Sequence, residues 1–181
     1  MFHSTETDFA NDTRAFANHR KRRPPIRETI RQMASTDTYE YVSTEWLDAV
    51  QSIITDLLQG HDLSSLDYVI CEDLTSPPVD RANTPAGTLS WFIHIHGNSL
   101  EARAGSVSNA DIRVVADYAT HHELSRRVWA GDPEAIAVSQ HQRQIATASG
   151  KLRIEGDLRA APPTVLELIA QLHDPVAAIT A

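Results

Sequence analysis

Residues 89–104, Leu89-Ser90-Trp91-Phe92-Ile93-His94-Ile95-His96-Gly97-Asn98-Ser99-Leu100-Glu101-Ala102-Arg103-Ala104, decide the fold class. Leu89, Trp91, Ile93 and Ile95 fall on one face of an alternating strand, and Ser90, Phe92, His94 and His96 on the other. One face is therefore buried and the other at least partly wet. Gly97-Asn98 is a two-residue hairpin turn signal, and Ser99 to Ala104 returns as a second strand ended by Gly105.

Outward from this hairpin the chain supplies more strands and the helices to cover them. Leu66 to Leu74 reads as a strand and Thr75 to Thr88, with Pro77, Pro78, Pro85 and Gly87, as a loop. Asp111 to Ala119 alternates, with Ile112, Val114, Ala116 and Tyr118 on one side, and Lys151 to Glu155 is a short strand between Gly150 and Gly156. Upstream, Trp46, Leu47, Val50, Ile53, Ile54, Leu57 and Leu58 share one helix face, with Ser43 suited to the N-cap, Glu45 to the first turn and Gly60 to the stop. Helical spacing returns at His122 to Trp129, where Leu124, Val128 and Trp129 form a stripe, and again after Pro133. Pro162-Pro163 opens a last helix presenting Val165, Leu166, Leu168, Ile169 and Leu172, which Asp174-Pro175 is expected to close. With no internal repeat and no alternating βαβ series, this order predicts an α+β domain: about five strands, mostly antiparallel, with helices gathered on one face.

The 181 residues carry a net charge of −8, unevenly spread. Residues 1–38 hold seven basic and five acidic groups, residues 39–181 nine and nineteen, so a slightly basic leader precedes a strongly acidic domain. The leader has few large apolar residues and is read as flexible. Its Arg20-Lys21-Arg22-Arg23-Pro24-Pro25 run is a solvated arm or a patch for transient contact with an anionic membrane surface, and a short helix is expected over Ile26 to Met33. An acidic body repels phosphate backbones, so no specific nucleic acid partner is expected. No apolar run reaches the ~18 to 20 residues needed to span a bilayer, and no secretory signal is recognisable. The single Cys71 cannot form an intramolecular disulfide, and a cytoplasmic location is the simplest expectation.

Reactive groups converge poorly. His94 and His96, two apart on a strand, point to the same side and could hold one metal ion, with His121 or His122 as a third ligand; the same two residues also suit a merely solvated face. A metal-dependent enzyme built on them is the runner-up reading. His122-Glu123-Leu124-Ser125-Arg126 would be a zinc-protease helix only with histidine where Arg126 stands, and Gly97-Asn98-Ser99-Leu100-Glu101 a nucleophile elbow only with glycine in place of Glu101. Neither a phosphate-binding nor a dinucleotide-binding glycine loop is present, and no cofactor is expected. Cys71, inside a strand, reads as buried and structural. What remains is an unusual amount of apolar helix face for a modest sheet, which could enclose an apolar slot or a filled core.

Several segments resemble the sterol carrier protein 2-like (SCP2-like) lipid-binding domains. Ser149-Gly150-Lys151-Leu152-Arg153-Ile154-Glu155-Gly156-Asp157 is similar to the family's terminal strand, and the apolar helix Val165 to Leu172 follows it as in the family. Ala110-Asp111-Ile112-Arg113-Val114 resembles the family's strand of an aspartate followed by β-branched residues, Asp117-Tyr118-Ala119-Thr120 the opening of the next helix in actinobacterial-looking members, and Tyr41-Val42-Ser43-Thr44-Glu45-Trp46 the N-terminal helix start of those members. The resemblance spans about residues 40 to 181. Pro133 to Gly150, with Gln140-His141-Gln142-Arg143-Gln144, is longer than the usual family helix, and Ile179-Thr180-Ala181 is not a peroxisomal address. The resemblance implies an apolar tunnel for a sterol, fatty acid or fatty acyl-CoA, bound without turnover. Trp91, Ile93, Ile95, Ile112, Val114, Leu152 and Ile154 would form the sheet wall; Leu124, Val128, Leu166, Ile169 and Leu172 would form helical walls or a lid. For each, plain core packing is an equal reading. An accessory subunit presenting a lipophilic substrate to a partner enzyme, and a homodimer, are further expectations.

Overall fold

Alternating apolar side chains form a five-stranded sheet in the computed structural model, which describes residues 37–181. The strands are β1 (Asp67–Thr75), β2 (Leu89–His96), β3 (Ser99–Ala104), β4 (Ile112–Asp117) and β5 (Leu152–Glu155). They are ordered β3-β2-β1-β4-β5. Only the central β1–β4 pair is parallel, in register Ile70 to Ile112; the other three pairings are antiparallel. The 1–38 leader, its Arg20 to Pro25 run and the helix expected at Ile26 to Met33 fall almost wholly outside the described residues.

The registers collect one side of every strand onto one face: Tyr68, Ile70, Glu72 and Leu74 on β1, and Leu89, Trp91, Ile93 and Ile95 on β2. Ile112, Val114 and Ala116 of β4 and Leu152 and Ile154 of β5 continue it. Helix α1 (Thr44–Leu57) buries Trp46, Leu47, Val50, Ile53 and Ile54 in this core, and Ser43 Oγ accepts the Trp46 N–H at 3.1 Å as its N-cap. Helices α2 (Tyr118–Ser125), α3 (Pro133–Ala148) and α4 (Pro163–Ile179) complete the layer, a 3-10 turn at Leu158–Ala160 leading into α4. The expected α+β architecture is what forms.

Three element boundaries differ from expectation. β4 stops at Asp117 because its carboxylate accepts the Thr120 N–H at 3.1 Å and hydroxyl at 2.7 Å, a cap that turns Tyr118 into helix. The helix expected to reach Trp129 ends at Ser125, so Leu124 stays buried while Val128 is left 47 % exposed. Trp129 and Ala130 are instead held as a loop, their N–H groups donating to Asp174 Oδ1 and Oδ2 at 2.7 and 2.9 Å. Finally, α4 runs straight through Pro175. The proline forfeits one helical hydrogen bond, but the turn beyond it buries Val176 and Ala177, and Tyr39 pairs with the chain end, its N–H donating to Ile179 and its carbonyl accepting from Ala181. Tertiary burial outweighs the local breaker.

The two glycines of the terminal strand segment bracket β5, and one has a tight steric reason. A Cβ on Gly156 would lie 2.0 Å from the Asp111 carbonyl oxygen, and its φ is +95°. Asp111 in turn accepts the Val69 N–H at 2.8 Å through Oδ2 and donates its own N–H to the Val69 carbonyl. Thus β5, the start of β4 and the start of β1 are locked in one close approach that only glycine permits.

Candidate ligand cavity

Between the sheet's apolar face and the helices lies a cavity of about 400 Å³. Trp91 and Ile93 of β2, Ile112 and Val114 of β4 and Leu152 and Ile154 of β5 line its floor, and Leu124 of α2 with Ile169 and Leu172 of α4 its roof. Trp91, Ile93, Ile112, Leu124 and Leu152 are buried, whereas Ile154 is 56 % and Leu158 37 % exposed, which puts the open side at β5 and the turn after it. Three of the residues expected to line a tunnel do not. Ile95 is fully buried but packs in the solid core near Tyr68 and Leu100, and Val128 and Leu166 are exposed. Val128 left the stripe when α2 ended early, and Leu166 sits on the outer side of α4.

Polar side chains enter this apolar space at two places. Glu72, on the core face of β1, has one carboxylate oxygen, Oε2, that accepts from Trp91 Nε1 at 2.8 Å, Tyr41 Oη at 3.1 Å and His121 Nε2 at 3.2 Å. Burial pushes its carboxyl up, but the His121 ring and these three hydrogen bonds outweigh that and hold it below the usual carboxylate range. Burial, with the Glu72 charge, drives the Tyr41 hydroxyl well above its usual range, so it remains a donor. The surrounding rings meet edge to face, Tyr41 on Trp46 and Trp46 on Trp91, each with centroids 5.0 Å apart.

The second polar place faces the helices. Trp129 stacks on His173 at 3.6 Å, and the Arg143 guanidinium lies 5.6 Å from the Trp129 ring centre. His173 Nε2 donates to the Arg127 carbonyl at 2.8 Å, and burial lowers its pKa. Arg143 Nε and Trp129 Nε1 are both buried without a hydrogen-bond partner, and Arg143 forms no ion pair among the described residues. Burial pulls the Arg143 guanidinium down even though Glu72 favours its charge. Two unsatisfied N–H donors beside an apolar cavity are costly unless something fills them.

Neither polar group was singled out as a binding group in the sequence. The signal for Glu72 was present, since Tyr68, Ile70, Glu72 and Leu74 alternate and put an acid on an apolar face. Arg143 lies in the 133–150 segment that is longer than the usual family helix, and its aim could not be read from helical spacing.

The remaining candidate chemistry lies elsewhere. His94 and His96 share the outer sheet face with Asp67, not with His121, which is committed to Glu72, nor with His122, whose Nε2 donates to the Ala181 carbonyl at 2.7 Å. Cys71 is a fully buried free thiol beside Asp73 and Arg113, and burial pushes its pKa up, away from a reactive thiolate. Among the described residues no helix is long and apolar enough to cross a membrane.

Fold and site together define an α+β domain enclosing an apolar cavity with a few fixed polar groups, the form of a small-molecule binding site. No family model and no curated protein matches the chain. Among solved structures it is similar to a sterol carrier protein 2, with 17% identity and a TM-score of 0.45, over 77% of this chain and 99% of that one. It is also similar to a conserved hypothetical protein, possibly a sterol carrier protein, from Thermus thermophilus, with 15% identity and a TM-score of 0.44, over 80% and 93%. A third is a UbiJ-SCP2 ubiquinone synthesis protein, with 14% identity and a TM-score of 0.39, over 76% and 96%.

Proposed function

We propose that this chain binds and carries an amphipathic lipophile in the cavity, non-covalently and without turnover. The observation that carries the reading is a cavity of about 400 Å³ with apolar walls and two buried, unpartnered donors, Arg143 Nε and Trp129 Nε1. The ligand's apolar body lies along Ile93, Ile112, Val114 and Ile169, and its acceptor head, carboxylate-like rather than a bare hydroxyl, turns to Arg143. About ten buried methylenes at ~0.8 kcal/mol each give roughly 8 kcal/mol gross, which is micromolar affinity before ordering costs. Such affinity permits exchange. A cytoplasmic setting is part of this proposal, and the buried free thiol of Cys71 is compatible with it.

Displacement of a fluorescent fatty acid tests this. Palmitate should compete saturably, and its methyl ester more weakly. Arg143→Met should weaken palmitate by about tenfold or more, the worth of a hydrogen bond to a charged group, while leaving the ester unchanged. No saturable binding of either would overturn carriage; equal weakening of both would remove Arg143 as the head-group contact.

A further inference from the structure

On the sheet face opposite the cavity, β2 carries His94 and His96 two residues apart, and β1 begins at Asp67, directly across from His96. His94 Nε2 is 2.9 Å and His96 Nδ1 is 3.5 Å from the same Asp67 Oδ1, and one ligand atom of each of the three residues falls within 4.8 Å of the other two. An ion with tetrahedral bonds of about 2.0–2.1 Å sets its ligand atoms about 3.3 Å apart. The two spacings to Asp67 straddle that value and the ligand atoms of His94 and His96 lie within 4.8 Å of each other, so rotation of the exposed side chains can bring all three around one ion. We propose that Asp67, His94 and His96 form a binding site for a divalent transition-metal ion such as Zn²⁺ or Cu²⁺.

Two imidazole nitrogens and one carboxylate oxygen select borderline ions of this kind over Mg²⁺ and Ca²⁺, which need oxygen ligands. Asp67 is an exposed carboxylate and so offers an anionic oxygen at neutral pH. Glu101 stands opposite His94 on β3, where it pairs with Arg103 at 3.0 Å. Access is open: Asp67 and His96 side chains are 68 % and 70 % exposed, so the ion needs no buried path, and three protein ligands leave its remaining positions to water. Because the backbone register already holds the three residues together, binding them costs little ordering. The ion would tie the first residue of β1 to the last of β2, beside the Gly97-Asn98 turn.

The full chain titrated with ZnCl₂ by calorimetry should bind one ion at this site. His94→Ala and His96→Ala should each weaken it by about tenfold or more, and Asp67→Asn by less, while the exposed His141→Ala should not change it. Zn²⁺ should raise the thermal midpoint of the wild type and not that of the double variant H94Q/H96Q, whose fold is checked by its near-UV dichroism. With Cu²⁺, electron paramagnetic resonance should show coupling to two imidazole nitrogens in the wild type alone. A double variant that binds Zn²⁺ as tightly as wild type, or a wild type that binds none up to about 1 mM, overturns the site. Neither result bears on lipid carriage, which uses the other face of the sheet.

Discussion

Replacing Glu72 by glutamine should expose how strongly the cavity's inner polar group holds the fold. Its Oε2 accepts three hydrogen bonds, at 2.8, 3.1 and 3.2 Å, from Trp91, Tyr41 and His121. A neutral amide oxygen in the same place keeps the geometry but loses the charge assistance, which is worth about 1 kcal/mol for each bond. The gross loss is about 3 kcal/mol, offset in part because an amide is cheaper to bury, leaving about 2 kcal/mol. For a domain of this size that lowers the thermal midpoint by roughly 4–8 °C. The pH dependence gives a second handle. The folded carboxyl titrates below its ordinary value near 4.5, so its contribution is complete above that pH and is lost as pH falls through the folded value. Urea unfolding of wild type and Glu72→Gln at pH 7 and at stepwise lower pH should show a gap that closes in acid. Equal stability at pH 7, or a gap that stays constant as the carboxyl protonates, would refute the charge-assisted account.

Three further substitutions probe the rest. Gly156→Ala should cost about 2–4 kcal/mol in urea unfolding, because its Cβ collides with the Asp111 carbonyl oxygen at a positive φ; a loss under about 1 kcal/mol would mean that β5 and β4 separate without strain. Ile169→Trp should fill the cavity from α4 and abolish fatty-acid displacement while the unfolding midpoint stays near wild type; retained binding would place the ligand elsewhere. Trp46→Phe removes the 3.0 Å hydrogen bond from Nε1 to the buried Thr180 hydroxyl, so it should cost about 1–2 kcal/mol, read by calorimetric unfolding, and no loss would show that the chain end is held without it.

Much of the architecture was legible in the chain because its signals are local. Strand alternation at Leu89 to His96, the Gly97-Asn98 turn and the Ser43-capped stripe from Trp46 to Leu58 each lie within one element, where the period of the backbone alone decides which face is apolar. One error was local: alternation carried the strand to Ala119, past the Asp117 cap on Thr120 that ends β4. The others came where distant groups decide, as Asp174 drew Trp129 and Ala130 out of a helix and packing of Val176 and Ala177 carried α4 through Pro175. Periodicity also could not tell Ile95, packed in solid core, from Ile93 two residues away, which faces the cavity.

Residue order by itself determined an α+β chain with one apolar sheet face, an acidic exterior and a pair of histidines on the opposite face. Tertiary structure alone decided that the apolar face stays partly unfilled, that Glu72 is satisfied by three donors from three separate stretches of chain, and that Arg143 and Trp129 meet with their donors unpaired. It also chose Asp67 as the companion of His94 and His96. The reason is geometric: periodicity specifies a direction for each side chain within its own element, whereas a cavity, a hydrogen bond or a ligand set is a distance between elements, fixed only when they pack.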